Sequence, residues 1–213
     1  MKIKEFIRKN IKWFILFICL IAVIGILEDV LEDEILTLDI YGYNLISKYL
    51  ISDFFTPIAK IITQLGGAIF LIILSLALII SLKNKKVSIL ILLNLIISTT
   101  LNQVLKFIIQ RPRPTEFRII DEKGYSFPSG HSMVSAAFYG FLIYLIYKNI
   151  KNKYLKWGLI TLLSCIVLLI GTSRIYLGVH YTSDVIAGFL ISISYLIIFT
   201  HFSKEFMKNE QKQ

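Results

Sequence analysis

Long apolar blocks alternate along the chain with short clusters of charge. Blocks at about 12–28, 61–82, 87–110, 130–148, 154–172 and 183–201 approach the about 20 apolar residues that a helix needs to cross a hydrocarbon core of roughly 30 Å. The pattern predicts an all-α protein, a membrane bundle of six transmembrane helices. No internal repeat or linker-like stretch divides it, so residues 1–213 read as one domain. Two connections are long, about 29–60 and 111–129. In the first, Leu31, Ile35, Leu38, Leu45, Ile46, Tyr49 and Leu50 recur at mixed helical spacings. That predicts one or two amphipathic helices lying in the membrane interface between the first and second spans; a water-exposed loop is the alternative.

Composition supports the membrane reading. Of the residues 56% are hydrophobic and 17% charged, and mean hydropathy is +0.72, too apolar for an ordinary soluble domain. Cys19 and Cys165 each sit mid-block and read as packing residues. The N-terminus has a basic start and a long apolar core with no small-residue cleavage site after it, so it reads as a retained first span. A net charge of +9 would raise nucleic-acid binding in a soluble chain. Here lysine-rich loops account for it, and no nucleic-acid partner is expected. With both termini in the cytoplasm, the N-terminal tail, the second-to-third and fourth-to-fifth connections and the C-terminal tail carry 15 of the 23 basic residues. That bias sets the orientation and favours an even number of spans.

In this topology three segments distant in sequence meet at the outer surface: "NQVLKFIIQRPRPTEFR", "PSGHS" and "GTSRIYLGVHYTSDVIAG". They bring Lys106, Arg113, Ser129, His131, Arg174, His180 and Asp184 to one end of the bundle. Ionisable groups at membrane depth are expensive and usually functional. Lys106 alone could be snorkelling. Arg113 follows in a proline-broken segment whose rigidity suits the binding of a polyanion. Juxtamembrane lipid contact is the competing reading for Arg111 and Arg118. Ser129 can cap the fourth spanning helix, and Gly130 lets backbone N–H groups approach an anion at that helix start. His180 and Asp184, spaced i and i+4, share a helical face. The carboxylate can take one ring N–H and leave the other nitrogen with its lone pair, and histidine can itself attack phosphorus. His201, at the other end, is given no role.

Together these residues resemble the type 2 phosphatidic acid phosphatase family, which shares its site with the vanadium haloperoxidases and glucose-6-phosphatase. Lys106 to Arg113-Pro114, Pro128-Ser129-Gly130-His131, and Ser173-Arg174 with His180 and Asp184 match its three motifs in order and spacing. The resemblance implies that His180 attacks phosphorus to form a phosphohistidine, that Asp184 orients and supports it, and that His131 protonates the leaving oxygen and then activates water. It implies that Lys106, Arg113, Arg174, Ser129 and the Gly130 N–H hold the phosphoryl oxygens, with no cofactor and no metal. The expected partners are the bilayer and a lipid phosphate: undecaprenyl pyrophosphate, phosphatidylglycerophosphate or phosphatidic acid. The expected location is a bacterial plasma membrane, with the site on the extracytoplasmic face. A metal-dependent hydrolase ligated by His131, His180 and Asp184 is disfavoured by the surrounding cations. A non-catalytic transporter or lipid-binding protein is the reading from another class, and a haloperoxidase is disfavoured because those are typically soluble.

Overall fold

A computed structural model describes residues 2–32 and 35–208. Its regular structure is helical: α1 (Lys2–Leu31), α2 (Thr37–Tyr49), α3 (Phe55–Gln64), α4 (Ala68–Ser81), α5 (Lys85–Ile109), α6 (Gly130–Asn149), α7 (Lys153–Tyr176) and α8 (Thr182–Lys208). Within α1 the stretch Asn10–Leu31, together with α5, α6, α7 and most of α8, is long and apolar enough to cross a membrane. The α3–α4 pair, bent by 51°, supplies a sixth crossing when taken as one broken span.

That break departs from the continuous 61–82 helix expected of the apolar pattern. Two consecutive glycines, Gly66 and Gly67, interrupt the run, and glycine is about 1 kcal/mol less favourable than alanine inside a helix. Packing fixes the break, because a Cβ on Gly66 would lie 2.6 Å from Ile170 on α7. The 14 residues of α4 reach only about 21 Å, and α3 adds the remainder at an angle. Between the first two spans the connection holds the helix α2, with Asp39 and Ile46 buried.

α5 and α7 begin on side-chain caps. Asn84 accepts from Lys86 N–H (3.0 Å) and Val87 N–H (3.3 Å), and Asn152 accepts from Leu155 N–H (3.1 Å). At the end of α5, Gln110 takes a left-handed conformation (φ 53°), and Pro112 bars further helix.

α6 is the hub, packed against α4, α5, α7 and α8. Its Phe138, Tyr139 and Phe141 meet Leu71 of α4, Leu90, Ile91 and Leu95 of α5, and Ile170 of α7 in the main core. Between helices in lipid the hydrophobic term falls away, so close packing and polar contacts carry association. The outward surface is apolar, with Phe17, Ile18, Ile24, Ile69, Ile80 and Leu168 exposed. A second cluster, Ile46, Ala59, Ile175, Leu177, Val179 and Val185, pins α2 and α3 over the adjoining ends of α7 and α8. Successive spans run antiparallel through short connections at 82–84 and 150–152. The C-termini of α5 and α7 and the N-termini of α6 and α8 therefore share one end of the bundle. The lysines around 83–86 and 148–156 lie at the other.

Candidate active site

Backbone links lock the three polar segments together. Asn102 Nδ2 on α5 donates to Pro128 O (3.2 Å), and Ser129 N–H donates to Asp184 O (3.1 Å). Ser126 N–H donates to Arg111 O (2.9 Å), and Ile119 N–H to Leu177 O (3.0 Å). The 111–129 connection is thereby tied down at both ends and in its middle. The turn after α7 depends on Gly178, whose φ is +69° and whose Cβ position would lie 2.1 Å from Phe117 O. Only glycine fits that turn.

These ties enclose a cavity of about 500 Å³. Its lining includes the polar Lys106, Arg113, Glu122, His131, Arg174 and His180 and the apolar Leu71, Ile72, Leu95, Phe107 and Val134. His180 is buried, with Nδ1 3.3 Å from Asp184 Oδ2 and Nε2 3.1 Å from Arg113 Nη1. An arginine N–H cannot accept, so Nε2 carries the lone pair and Nδ1 the proton that Asp184 receives. Tyr181 N–H also donates to Asp184 Oδ2 (2.9 Å), and Arg111 Nη1 donates to Oδ1 (2.8 Å). Burial pushes the His180 imidazole down; Asp184 pulls it up, Arg174 and Arg113 push it further down, and it settles at about 4. The ring is therefore neutral at physiological pH.

Three carbonyls aim Arg113: Nε donates to Gly124 O (2.9 Å), Nη1 to Val179 O (3.0 Å) and Nη2 to Lys123 O (3.1 Å). Arg174, 1% exposed, donates from Nη1 to Thr63 Oγ1 (2.8 Å) and from Nη2 to Glu122 Oε1 (2.5 Å). Its Nε, also buried, has no acceptor among the described residues. An unpartnered buried N–H on a guanidinium that lines the cavity fits a site for an oxyanion. Glu122 lies between Arg174 and Arg113 (3.7 Å). Burial raises its carboxyl, but the two arginines outweigh that and hold it below its ordinary value. Lys106 Nζ donates to Tyr125 O.

His131 and Gly130 sit in the first turn of α6 and line the same cavity. Ser129 is fully buried beneath them. Its hydroxyl accepts from Ser132 N–H (3.4 Å) and Ser132 Oγ (2.9 Å), so the side chain is engaged as the α6 cap.

A family model described as the PAP2 superfamily matches residues 88–208. The chain belongs to the PAP2 superfamily. Phosphatidylglycerophosphatase B of Bacillus subtilis (strain 168) is 37% identical over 53% of this chain and 56% of its own length. An undecaprenyl-diphosphatase of Sulfolobus acidocaldarius is 30% identical over 54% of this chain and 56% of its own. The chain thus aligns with little more than half the length of these two PAP2 relatives. The fold agreement is wider. The crystal structure of a transmembrane PAP2 type phosphatidylglycerolphosphate phosphatase from Bacillus subtilis superposes with a TM-score of 0.73 at 26% identity, covering 92% of this chain and 97% of that one.

The structure brings Lys106, Arg113, Gly130, His131, Arg174 and His180 to one cavity, with Asp184 bonded behind His180 and Ser129 at the α6 cap. Reading the sequence missed four others. Arg111, set beside lipid contact, is 6% exposed and points inward at Asp184. Glu122, Thr63 and Asn102 fix Arg174 and Pro128 from outside the motifs. Only Arg111 had a local signal, since it shares the rigid "RPRP" run with Arg113.

Proposed function

We propose that the protein is a metal-independent membrane lipid phosphatase acting through a phosphohistidine. The carrying observation is the His180 ring, held at Nδ1 by Asp184 with Nε2 turned to the arginine side of the cavity. In the first step Nε2 forms a bond to phosphorus as the phosphorus–oxygen bond to the lipid breaks, and His131 gives the leaving oxygen its proton. In the second, water attacks phosphorus, His131 takes its proton, and the nitrogen–phosphorus bond breaks to free phosphate and His180. Asp184 balances the charge that grows on the ring. Lys106, Arg113, Arg174 and the Gly130 N–H receive the phosphoryl oxygens. Ser129 serves them by capping α6, whose N-terminus favours an anion. Phosphoryl transfer needs mainly positioning and charge stabilisation, and fixed guanidinium groups can supply both.

The apolar residues lining the cavity support a substrate with a hydrocarbon tail, and the relatives' names point to phosphatidylglycerophosphate or undecaprenyl pyrophosphate, with phosphatidic acid as the third candidate. The lysine distribution supports a site on the extracytoplasmic face of a bacterial plasma membrane. Phosphate release from the three lipids, measured in parallel in EDTA with and without orthovanadate, tests the proposal. One lipid should be favoured in kcat/KM, the chelator should leave the rate unchanged, and vanadate, able to mimic five-coordinate phosphorus, should inhibit. Activity lost in chelator and restored by one divalent ion would overturn the metal-free mechanism. Release from none of the three lipids would overturn the substrate class.

A further inference from the structure

One polar link in the site comes from an element outside all three motifs. Asp39, on α2, is 3% exposed. Its Oδ1 accepts from Ser183 N–H (2.7 Å) and its Oδ2 from Arg111 Nη2 (2.9 Å). Arg111 in turn donates from Nη1 to Asp184 Oδ1 (2.8 Å) and to Ser183 Oγ (2.8 Å), with its guanidinium 4.1 Å from the Tyr181 ring centre. Asp39, Arg111, Asp184 and His180 form a buried chain of alternating acid and base.

We propose that Asp39 is a positioning residue for phosphoryl transfer: it orients Arg111 and balances its charge, so that Asp184 stays fixed and available to His180. The inference rests on the phosphatase reading above. A buried guanidinium facing Asp184 alone would neutralise the carboxylate on which the ring depends. A second carboxylate on the far side of the planar fork shares that charge while keeping both hydrogen bonds in register. Asp39 holds the arrangement at two points, because it also binds the backbone at the start of α8, one residue before Asp184. The other charged and titratable groups on His180's side of the site are Arg113, Glu122 and Lys123 from the 111–129 connection, Arg174 from α7, Lys106 from α5 and His131 from α6.

Asp39→Asn isolates the effect, since its amide oxygen still accepts from Ser183 while its NH₂ can face Arg111. In the full-length protein in lipid-containing micelles, D39N should lower kcat at least tenfold and change KM less than twofold. R111M should lower kcat as well, and D39N/R111M should be no slower than R111M, because Asp39 acts through Arg111. Additive losses, or a raised KM with kcat intact, would overturn the proposal. A second arm needs no turnover. Diethyl pyrocarbonate modification of His180, followed by mass spectrometry across pH, reads its protonation midpoint. R111M should move that midpoint upward by freeing Asp184 for the ring, whereas R111K, which keeps the charge, should move it less. D39N should move it downward, because Arg111 unshared by Asp39 neutralises Asp184 more; a residue that merely braces the fold would leave the midpoint in place, and an unmoved midpoint in D39N sinks the inference. Because this arm does not depend on phosphate release, failure of the relay and failure of the phosphatase reading are distinguishable.

Discussion

Arg113 Nη1 stands 3.1 Å from His180 Nε2, on the ring nitrogen opposite the one that faces Asp184. The lone pair proposed to attack phosphorus is thus covered by a side chain proposed to hold the phosphoryl oxygens. An incoming phosphate offers Arg113 a stronger, charge-assisted acceptor than a neutral imidazole. Substrate binding and uncovering of the nucleophile become one event. Arg113→Lys keeps the charge but cannot satisfy the carbonyls of Lys123, Gly124 and Val179 together, so kcat/KM should fall at least about tenfold, roughly 1.4 kcal/mol. Steady-state kinetics on the preferred lipid checks this, and an unchanged kcat/KM in R113K would remove the role.

His180→Ala should abolish turnover. Asp184→Asn should slow it by about a hundredfold or more, because both the ring orientation and the charge opposite it are lost. Phosphate release, with folding verified by thermal melting, reads both. Near-normal rates in H180A would eliminate the nucleophile assignment.

The low His180 value fixes the sign of an acid-side pH effect. The charged ring is inactive and the neutral ring active, so kcat/KM should stay level as pH falls through 6.5 and decline only near the ring's value of about 4. The profile must be corrected for ionisation of the substrate phosphate. A corrected decline centred near 6.5 would contradict burial as the dominant influence on the ring.

Gly178→Ala should be damaging although its side chain is one methyl. Forcing an L-residue into the left-handed region costs roughly 1–2 kcal/mol, and the new Cβ would meet Phe117 O. The turn delivers Val179 and His180, so both melting temperature and kcat should fall. A variant with native kcat would show that the turn tolerates displacement.

Cysteine at exposed Thr115 should react with an impermeant maleimide on intact cells, and cysteine at exposed Lys83 only after permeabilisation. Lys83 is preferable to its neighbour Asn84, which caps α5. Cys19 and Cys165 should first be replaced to remove background. The opposite labelling pattern would place the site on the cytoplasmic side.

Much of this architecture was legible because membrane helices advertise themselves locally. An uninterrupted apolar run has few alternatives in lipid, and the 87–110, 130–148 and 154–172 blocks closely match α5, α6 and α7. The motif residues were legible because His180 and Asp184 are four apart and the prolines beside Arg113 restrict its backbone. The bend at Gly66 was harder, since apolar composition does not distinguish a straight helix from a broken one. Asp39 was hidden for a different reason. It is one of several acids in "EDVLEDEILTLD", and its meaning depends on a partner 72 residues away. Glu122 is equally silent in sequence, because its meaning lies in the two arginines that approach it.

The cavity beside His180 carries both halves of an amphiphile's chemistry, since guanidinium and imidazole groups line it together with Leu71, Ile72, Leu95 and Val134. Shape matched to both halves works as a filter on partitioning. Inorganic phosphate or a sugar phosphate would meet the cations but leave the oily half in contact with water, and a neutral lipid would do the reverse. On the proposed reading, a molecule divided into a polyanionic head and a hydrocarbon tail would satisfy both kinds of lining at once.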